Sequence, residues 1–247
     1  MLEQEYDLVE AVQSSHWWWL GREKLLRNTL KRFLSGKNKV EIADIGCGFG
    51  ANIPMLRSFG DVTALELKDE ARQSIERKWM GSVRTLAWAA PQKLDEKFDV
   101  ALMADVLEHI PDDVGAVNWL ADHINPGGYV FITVPAHMSL WTQMDDVLHH
   151  HRRYTKDSLT EIFGKEFKIV ECRYYNFFLF PAKWAFVIFD KLIQIMRPNG
   201  PRKSYNNIPP FGLNKVFEVI LKSEILLFSR FGPPNGISLL LVAKRVE

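Results

Sequence analysis

The sequence predicts an α/β fold built around a mostly parallel sheet. Between residues 40 and 134, short apolar runs rich in β-branched residues alternate with amphipathic stretches, a pattern typical of strands connected by helices. The first run leads into three alternating glycines, Gly46, Gly48 and Gly50, which predict a tight turn from a strand into a helix. Apolar residues make up 47% of the 247 positions and charged residues 25%, so we expect one large or two small globular domains and exclude a disordered or fibrous chain.

The predicted elements follow in order along the chain. Five strands are predicted at residues 40–45, 62–66, 83–87, 98–103 and 129–134, with helices near 51–59, 69–79 and 112–123. A helix over 154–163, a strand over 167–176 and a closing strand over 237–243 follow. Right-handed crossovers bring the carboxyl ends of the parallel strands to one edge of the sheet, called the rim below, and a ligand is expected there.

Four segments are predicted. Residues 1–39 form an N-terminal helical cap, 40–176 the core, 177–236 a helical insertion and 237–247 the closing strand. The insertion holds nine of the 16 phenylalanines and eight Lys or Arg against three Asp or Glu, and it predicts two apolar helices at about 181–196 and 213–231. No uncharged stretch within it reaches the ~18 residues of a membrane span, so we expect an acceptor pocket or a lid.

Charge and cysteine content narrow the class of protein further. A net charge of +1 does not indicate a general nucleic-acid-binding protein, which is typically strongly basic. The two cysteines, Cys47 and Cys172, are 125 positions apart, and Cys47 lies inside the glycine turn, so both are read as reduced thiols. The start of the sequence is acidic and shows no export signal. We therefore expect a cytoplasmic protein.

The glycine turn carries the strongest functional signal. Glycines allow positive φ and lack a Cβ, so a nucleoside can lie close to the backbone. Gly46, Gly48 and Ala51 also satisfy a loose dinucleotide-binding pattern, which leaves a nicotinamide-dependent oxidoreductase as an alternative. Asp44 favours a positively charged cofactor because its carboxylate would repel a pyrophosphate, whereas Glu66 can accept hydrogen bonds from the ribose of either cofactor.

Several motifs together resemble the class I S-adenosylmethionine-dependent methyltransferases. DIGCGFG, TALEL, KFDVALMADVLEHI and NPGGYVFITVP match the motifs of this family in order, and the resemblance covers about 40–176 and the last strand. It implies a Rossmann-like sheet of seven strands with helices on both faces and an antiparallel last strand. It also implies S-adenosyl-L-methionine as cofactor and transfer of its methyl group to an oxygen or nitrogen of a small or lipid-like acceptor.

The resemblance assigns the cofactor site position by position. Asp44, Gly46, Cys47, Gly48 and Gly50 would hold the methionine part and Glu66 the ribose. Leu67 and Trp88 would lie beside the adenine. The acidic residue that many family members carry after the third strand is replaced here by Ala87-Trp88-Ala89-Ala90. Trp88 is equally compatible with packing in the core. Asp105 and Val106 would lie beneath the sulfonium, and Arg22, from a leader resembling the cap of small-molecule methyltransferases, would pair with the cofactor carboxylate.

Two histidine-containing segments are candidates for the acceptor side. The stretch HRRYT is similar to a segment in the same branch of the family and makes His151 the candidate base or acceptor-binding group, oriented by Tyr154. The spacing of Asp105, Glu108 and His109, together with His151, resembles relatives that hold a divalent ion. Support of a loop is the favoured interpretation of these residues, so the sequence predicts no metal.

The interactions of the insertion are less determined. Its aromatic and basic character admits contact with a lipid or a membrane surface, and the protein would then be peripheral to the inner membrane face, although a plain helical lid or a dimer face is favoured. We expect a monomer or homodimer that acts on a small-molecule acceptor, with no nucleic-acid partner. A non-catalytic member that binds the cofactor or a protein partner is a further alternative.

Overall fold

A computed structural model describes residues 3–37, 39–88, 92–196, 206–229 and 231–246. Its centre is a seven-stranded sheet in the order β3-β2-β1-β4-β5-β7-β6. The strands are β1 (Val40–Ile45), β2 (Gly60–Leu65), β3 (Arg84–Leu86), β4 (Phe98–Ala104), β5 (Ile124–Pro135), β6 (Phe167–Tyr175) and β7 (Ser238–Arg245). Only β7 runs antiparallel to its two neighbours, and the other described pairs are parallel. The predicted fold class is confirmed.

Nine α-helices surround the sheet among the described residues. They are α1 (Glu3–Val12), α2 (Trp17–Phe33), α3 (Ile53–Leu56), α4 (Asp69–Trp79), α5 (Asp113–His123), α6 (Gln143–Val147), α7 (Lys156–Glu161), α8 (Phe180–Met196) and α9 (Leu213–Leu227). Short 3-10 turns at Leu107–His109 and Met138–Leu140 follow β4 and β5. The predicted pattern of strands and helices is therefore present, and the differences lie mainly at element ends.

The differences from the predicted bounds have local causes. Helix α3 has four residues instead of the predicted nine, because a turn of tight backbone hydrogen bonds from Gly50 precedes it and another follows it. Strand β5 begins at Ile124, earlier than predicted, since the NPGG segment stays in the sheet through a register shift opposite Phe98 and Val100. Helix α7 begins after Tyr154, which pairs with Ala136 in a single β-bridge, and Thr155 caps the helix.

Alternate residues of the central strands point to two apolar layers. Ala43 and Ala101 contribute to one layer with α5, and Ile42 and Val100 contribute to the other with α2, α3 and α4. Helices therefore cover both faces, as predicted. Leu26 of α2 is fully buried in the second layer, and its truncation to alanine would cost about 2–5 kcal/mol. The N-terminal segment is thus part of the folded body.

The insertion forms α8 and α9, and its linker residues 197–205 lie outside the described residues. Helix α9 packs against α2 so closely that a Cβ on Gly21 would lie 2.2 Å from Cδ2 of Leu221. The side-chain oxygen of Asn214 accepts a hydrogen bond of 2.9 Å from the backbone N–H of Trp17. Among the described residues, no helix has both the length and the apolar character needed to cross a bilayer.

Candidate functional site

The glycine turn lies at the rim, where the backbone N–H groups of Gly46 and Cys47 donate to the carbonyl of Leu65 at 2.8 and 3.3 Å. All three glycines have positive φ, at +62°, +54° and +77° for Gly46, Gly48 and Gly50. A Cβ on Gly46 would lie 2.8 Å from the methyl carbons of Val106, whereas one on Gly48 would enter open space. Gly48 therefore borders open space beside the turn, called the hollow below, and Gly46 is required by packing.

Asp44 places a carboxylate beside this turn without a partner. Its side chain is 1% exposed, and among the described residues neither carboxylate oxygen has a partner in hydrogen-bonding geometry, although the Asn52 amide lies near. Burial raises the pKa of Asp44 to about 7, and Glu66 adds to the increase, while Arg22 and the Asn52 amide oppose it. A buried carboxylate without partners is costly, so this position is suited to a bound cation with N–H donors.

Glu66 is also buried but is fully engaged with the backbone. One carboxylate oxygen accepts from the N–H of Gly48 at 2.9 Å and the other from the N–H of Lys68 at 3.0 Å. The carboxylate therefore fixes the glycine turn relative to the end of β2, and a carboxylate oxygen can accept more than one hydrogen bond. Leu67, directly after it, is exposed and borders the same region.

Arg22 reaches the rim from α2 and is almost fully buried there. Its Nη1 donates to the carboxylate of Asp105 at 2.5 Å and to the carbonyl of Ala104 at 3.2 Å, while its Nε has no partner. Asp105 also accepts from the Thr133 hydroxyl at 2.9 Å, and its φ is +58°, a strained conformation for a residue with a Cβ. The structure thus brings the predicted residues Arg22 and Asp105 into direct contact.

Trp88 is placed differently from the predicted adenine contact. Its ring is 4% exposed and packs 4.3 Å from the ring of Trp119, measured between centroids, and its Nε1 donates to the Gln92 carbonyl at 2.6 Å. The ring has no free face on which adenine could stack, so we correct this assignment to core packing. The neighbouring residues Ala89 and Ala90 lie outside the described residues.

A cluster of titratable side chains follows β4. Glu108, His109 and His150 place ligand-type atoms within 4.8 Å of one another. Burial and the neighbouring Asp105 raise the pKa of Glu108 well above its usual value, and one of its oxygens has no hydrogen-bond partner. Burial and the nearby His150 lower the pKa of His109 to about 3, so its imidazole is neutral.

Asp145 orients His150 within this cluster. The Nδ1 of His150 lies 2.9 Å from Oδ1 of Asp145, which also accepts from Nε of Arg153 at 2.7 Å. Burial opposes ionisation of Asp145, but the His150 hydrogen bond and the Arg153 guanidinium lower its pKa below the usual range. The carboxylate is therefore ionised at neutral pH and can accept a hydrogen bond from Nδ1 of His150, which orients the ring. The sequence analysis did not single out His150 or Asp145, although the run of three histidines pointed to the segment.

The structure separates His151 and Tyr154 from this cluster. The side chain of His151 is exposed, and only its backbone N–H is engaged, by the carbonyl of Glu108 at 2.8 Å. Tyr154 is 2% exposed and donates its hydroxyl to Asp113 at 2.9 Å, so it packs in the core beneath the loop instead of facing the rim. Of the four candidate metal ligands, Glu108 and His109 lie together, and His150 takes the place predicted for His151.

Tyr175, at the end of β6, is a rim residue that the sequence analysis missed. Its hydroxyl is buried and lacks a hydrogen-bond partner in this structure, and burial and the nearby Asp105 raise its pKa well above its usual value. Trp18 of α2 stacks on its ring at 5.8 Å between centroids. An aromatic residue at a strand end resembles ordinary core in a sequence, so no local pattern distinguished it.

The comparisons with known proteins agree with this architecture. A ubiquinone biosynthesis O-methyltransferase of Photorhabdus laumondii is 27% identical over 155 residues, which are 56% of this chain and 64% of the relative. That of Hydrogenovibrio crunogenus is 30% identical over 111 residues, 42% of this chain and 46% of the relative. The chain therefore spans less than two thirds of the length of these curated relatives.

Solved structures and a family match complete the comparison. The N-methyltransferase NodS from Bradyrhizobium japonicum, in complex with S-adenosyl-L-homocysteine, superimposes with a TM-score of 0.53 at 14% identity, covering 90% of this chain and 85% of that one. This likeness shows the fold. Residues 18–167, more than half of the chain, match the family described as the methyltransferase domain. The protein belongs to the methyltransferase domain family.

Proposed function

We propose that this protein is an S-adenosyl-L-methionine-dependent methyltransferase that methylates an oxygen or nitrogen of a small or lipid-like acceptor. The observation that carries the proposal is the buried, unpartnered carboxylate of Asp44 beside the open hollow at Gly48. A nucleoside that carries an ammonium group fits both features. The ammonium group can donate hydrogen bonds to the Asp44 carboxylate, and the sugar can lie against the backbone of Gly48, which has no Cβ. The family match and the NodS structure with S-adenosyl-L-homocysteine support the same cofactor.

The residues of the rim fit this cofactor in separate roles. Asp44 would accept from its ammonium group, Glu66 from the ribose hydroxyls, and the free Nε of Arg22 would donate to its carboxylate. Leu67, Cys47, Asp105 and Val106 would lie around it, as the resemblance implies. When bound, the cofactor supplies an activated methyl group on a sulfonium. The protein contributes alignment and exclusion of water, which account for much of the rate in such transfers.

On the acceptor side, we propose His150 as the proton acceptor in place of His151. Its Nδ1 is held by the ionised Asp145, so Nε2 can take the proton that the acceptor oxygen or nitrogen loses when it gains a methyl group. His151 has no such orienting partner among its described contacts, and its side chain faces solvent. Because the two residues are adjacent, His150→Ala and His151→Ala form a matched pair. We expect a large loss of turnover only for His150→Ala.

The alternatives fit the site less well. A dinucleotide would bring its pyrophosphate close to Asp44, a buried acid with no neutralising hydrogen bond. A non-catalytic binding protein would have no use for the orienting contact between Asp145 and His150. The two free cysteines support a reducing compartment, and we place the protein in the cytoplasm, with the segment 177–236 bordering the acceptor and available to lipid.

Calorimetry with S-adenosyl-L-homocysteine tests the cofactor site directly. Gly48→Ala should abolish or greatly weaken binding, since the added methyl group enters the hollow. Gly127→Ala is the matched control, because Gly127 also has a positive φ, +76°, and open space where its Cβ would be. It lies near the start of β5, at the end of the strand away from the rim. Equal binding by both variants would refute the site. Transfer of a tritiated methyl group to a fractionated cell extract then tests the reaction itself.

A further inference from the structure

The helices α8 and α9 expose apolar side chains that the fold does not use. Representative members, called the apolar face below, are Ile188, Leu192 and Ile195 on α8, Leu226 and Leu227 on α9, and Phe211 just before α9. Their exposed fractions range from 53% to 97%. Isolated exposed apolar residues are common on proteins, but so many on two consecutive helices indicate a surface that is covered during function.

Both helices bury acidic side chains and expose apolar ones, although Val187, Leu221 and Ile225 also face the core. The acidic residues Asp190, Glu218 and Glu224 are 0%, 7% and 1% exposed, whereas the residues of the apolar face point outward. In an ordinary surface helix the acids face water and the apolar residues face the core. The arrangement indicates an apolar environment outside the protein.

Buried contacts of the acids fix this orientation. Asp190 accepts from the backbone and side-chain N–H groups of Gln143 at 3.1 and 3.0 Å, and Glu224 accepts from the N–H of Phe178 at 2.8 Å. Rotating either helix to hide its apolar residues would break these bonds and expose core residues. The apolar face is therefore a stable property of the folded protein and not a result of loose packing.

The charge around the apolar face identifies its partner. By sequence, the segment 177–236 carries eight Lys or Arg against three Asp or Glu, and Asp190 and Glu224 are buried. Lys191 is exposed on α8, and Lys215 is exposed on α9, where it pairs with Glu218 at 3.0 Å. Basic residues beside apolar ones complement an anionic lipid surface, while a second copy of this chain would bring like charges together.

We infer that α8 and α9 dock this protein on an anionic lipid bilayer, with the apolar face inserted among the lipid headgroups. The docked helices lie next to the rim, since Phe180 at the start of α8 contacts the ring of His137 at 6.1 Å between centroids and α9 packs on α2, which carries Arg22. The inference rests on the proposed function for its purpose, because docking would bring a lipid-like acceptor to the site. Its geometry and charge are independent of that function.

Flotation with vesicles tests the inference on the full chain without cofactor or acceptor. The protein should bind vesicles of phosphatidylcholine mixed with phosphatidylglycerol at low salt. Its binding to vesicles of pure phosphatidylcholine, and to the mixed vesicles at high salt, should be at least about tenfold weaker. The double variant Leu226→Gln/Leu227→Gln should lower binding to mixed vesicles by about tenfold or more. Met80→Asn is the control, since it removes a 90% exposed apolar residue outside the two helices and should bind as the wild type does.

Three outcomes would overturn the inference. These are no vesicle binding by the wild type at low salt, equal losses in the double variant and the control, or a stable dimer that the double variant dissociates, which would show that a second copy covers the face. Binding of S-adenosyl-L-homocysteine by the double variant confirms that it is folded. A wild type that transfers methyl groups but does not bind vesicles counts against this inference alone, and vesicle binding by a wild type that does not bind the cofactor counts against the proposed function alone.

Discussion

Replacing Asp44 with asparagine should stabilise the ligand-free protein at neutral and alkaline pH while it removes affinity for the cofactor. Asp44 is 1% exposed, and burial raises its pKa from 3.8 to about 7. Asparagine has nearly the same shape and stays uncharged at every pH. The variant therefore reports what it costs to ionise this carboxyl group inside the folded protein.

The size of the stability difference follows from the pKa of Asp44 in the unfolded chain, 3.8, and in the folded protein, about 7. Below about pH 4 the carboxyl group is protonated in the folded and the unfolded chain, so ionisation contributes little to the difference between wild type and variant. Between pH 4 and 7 the unfolded chain ionises while the folded protein stays protonated, so the wild type loses stability as the pH rises. A rise of about three units, at 1.36 kcal/mol each, gives a deficit of about 4 kcal/mol above pH 7.

Equilibrium urea denaturation between about pH 4 and pH 8 measures this difference. Asp122→Asn serves as the control, because Asp122 is exposed on α5 and its removal should produce no such trend. Two results would refute the reasoning: a variant no more stable than the wild type at pH 8, or a difference that does not change with pH. Calorimetry should show that Asp44→Asn no longer binds S-adenosyl-L-homocysteine, and unchanged affinity would remove Asp44 from the site.

Three further predictions concern the rest of the site. Glu66→Gln should weaken binding of S-adenosyl-L-homocysteine in calorimetry by about 10- to 100-fold, through the loss of charge-assisted hydrogen bonds, and Glu70→Gln, at the exposed start of α4, should not. Tyr154→Phe should lower the free energy of unfolding, measured by urea denaturation, by about 1–2 kcal/mol, because Asp113 loses a buried hydrogen-bond donor. Turnover should stay nearly unchanged. A large fall in turnover at unchanged stability would restore the catalytic role first predicted for Tyr154. Exhaustive chelation should leave methyl transfer unchanged, since the proposed proton transfer needs Nε2 of His150 free, and a loss reversed by a divalent ion would show that a metal occupies it.

The fold could be predicted from the sequence because its signals are local. The strand at 40–45 has the predicted bounds, since an apolar run followed by alternating glycines specifies both a strand and the turn that ends it. The same pattern located Asp44 and Glu66 at the rim. That Asp44 lacks hydrogen-bond partners could not be read from the sequence, because it depends on which groups the folded backbone leaves out of reach.

The choice between His150 and His151 could not be predicted from the sequence either, because it depends on the path of the folded backbone. His149 has a φ of +56°, and this left-handed turn directs His150 inward to Asp145 and leaves His151 in solvent. Three identical side chains in a row carry no signal about which one the turn will bury. Trp88 is a similar case, since Trp119 from a distant helix covers its ring.

Helix α2 links the proposed cofactor site to the insertion. Arg22, on one side, reaches Asp105 at the rim, while Gly21 and Trp17 contact α9. A residue larger than glycine at position 21 would push α9 away and shift Arg22 with it, since α2 is a rigid element. Helices α2 and α9 are therefore parts of one packed unit, so the proposed lipid-docking surface of α9 and Arg22, the proposed partner of the cofactor carboxylate, are held in fixed relative positions.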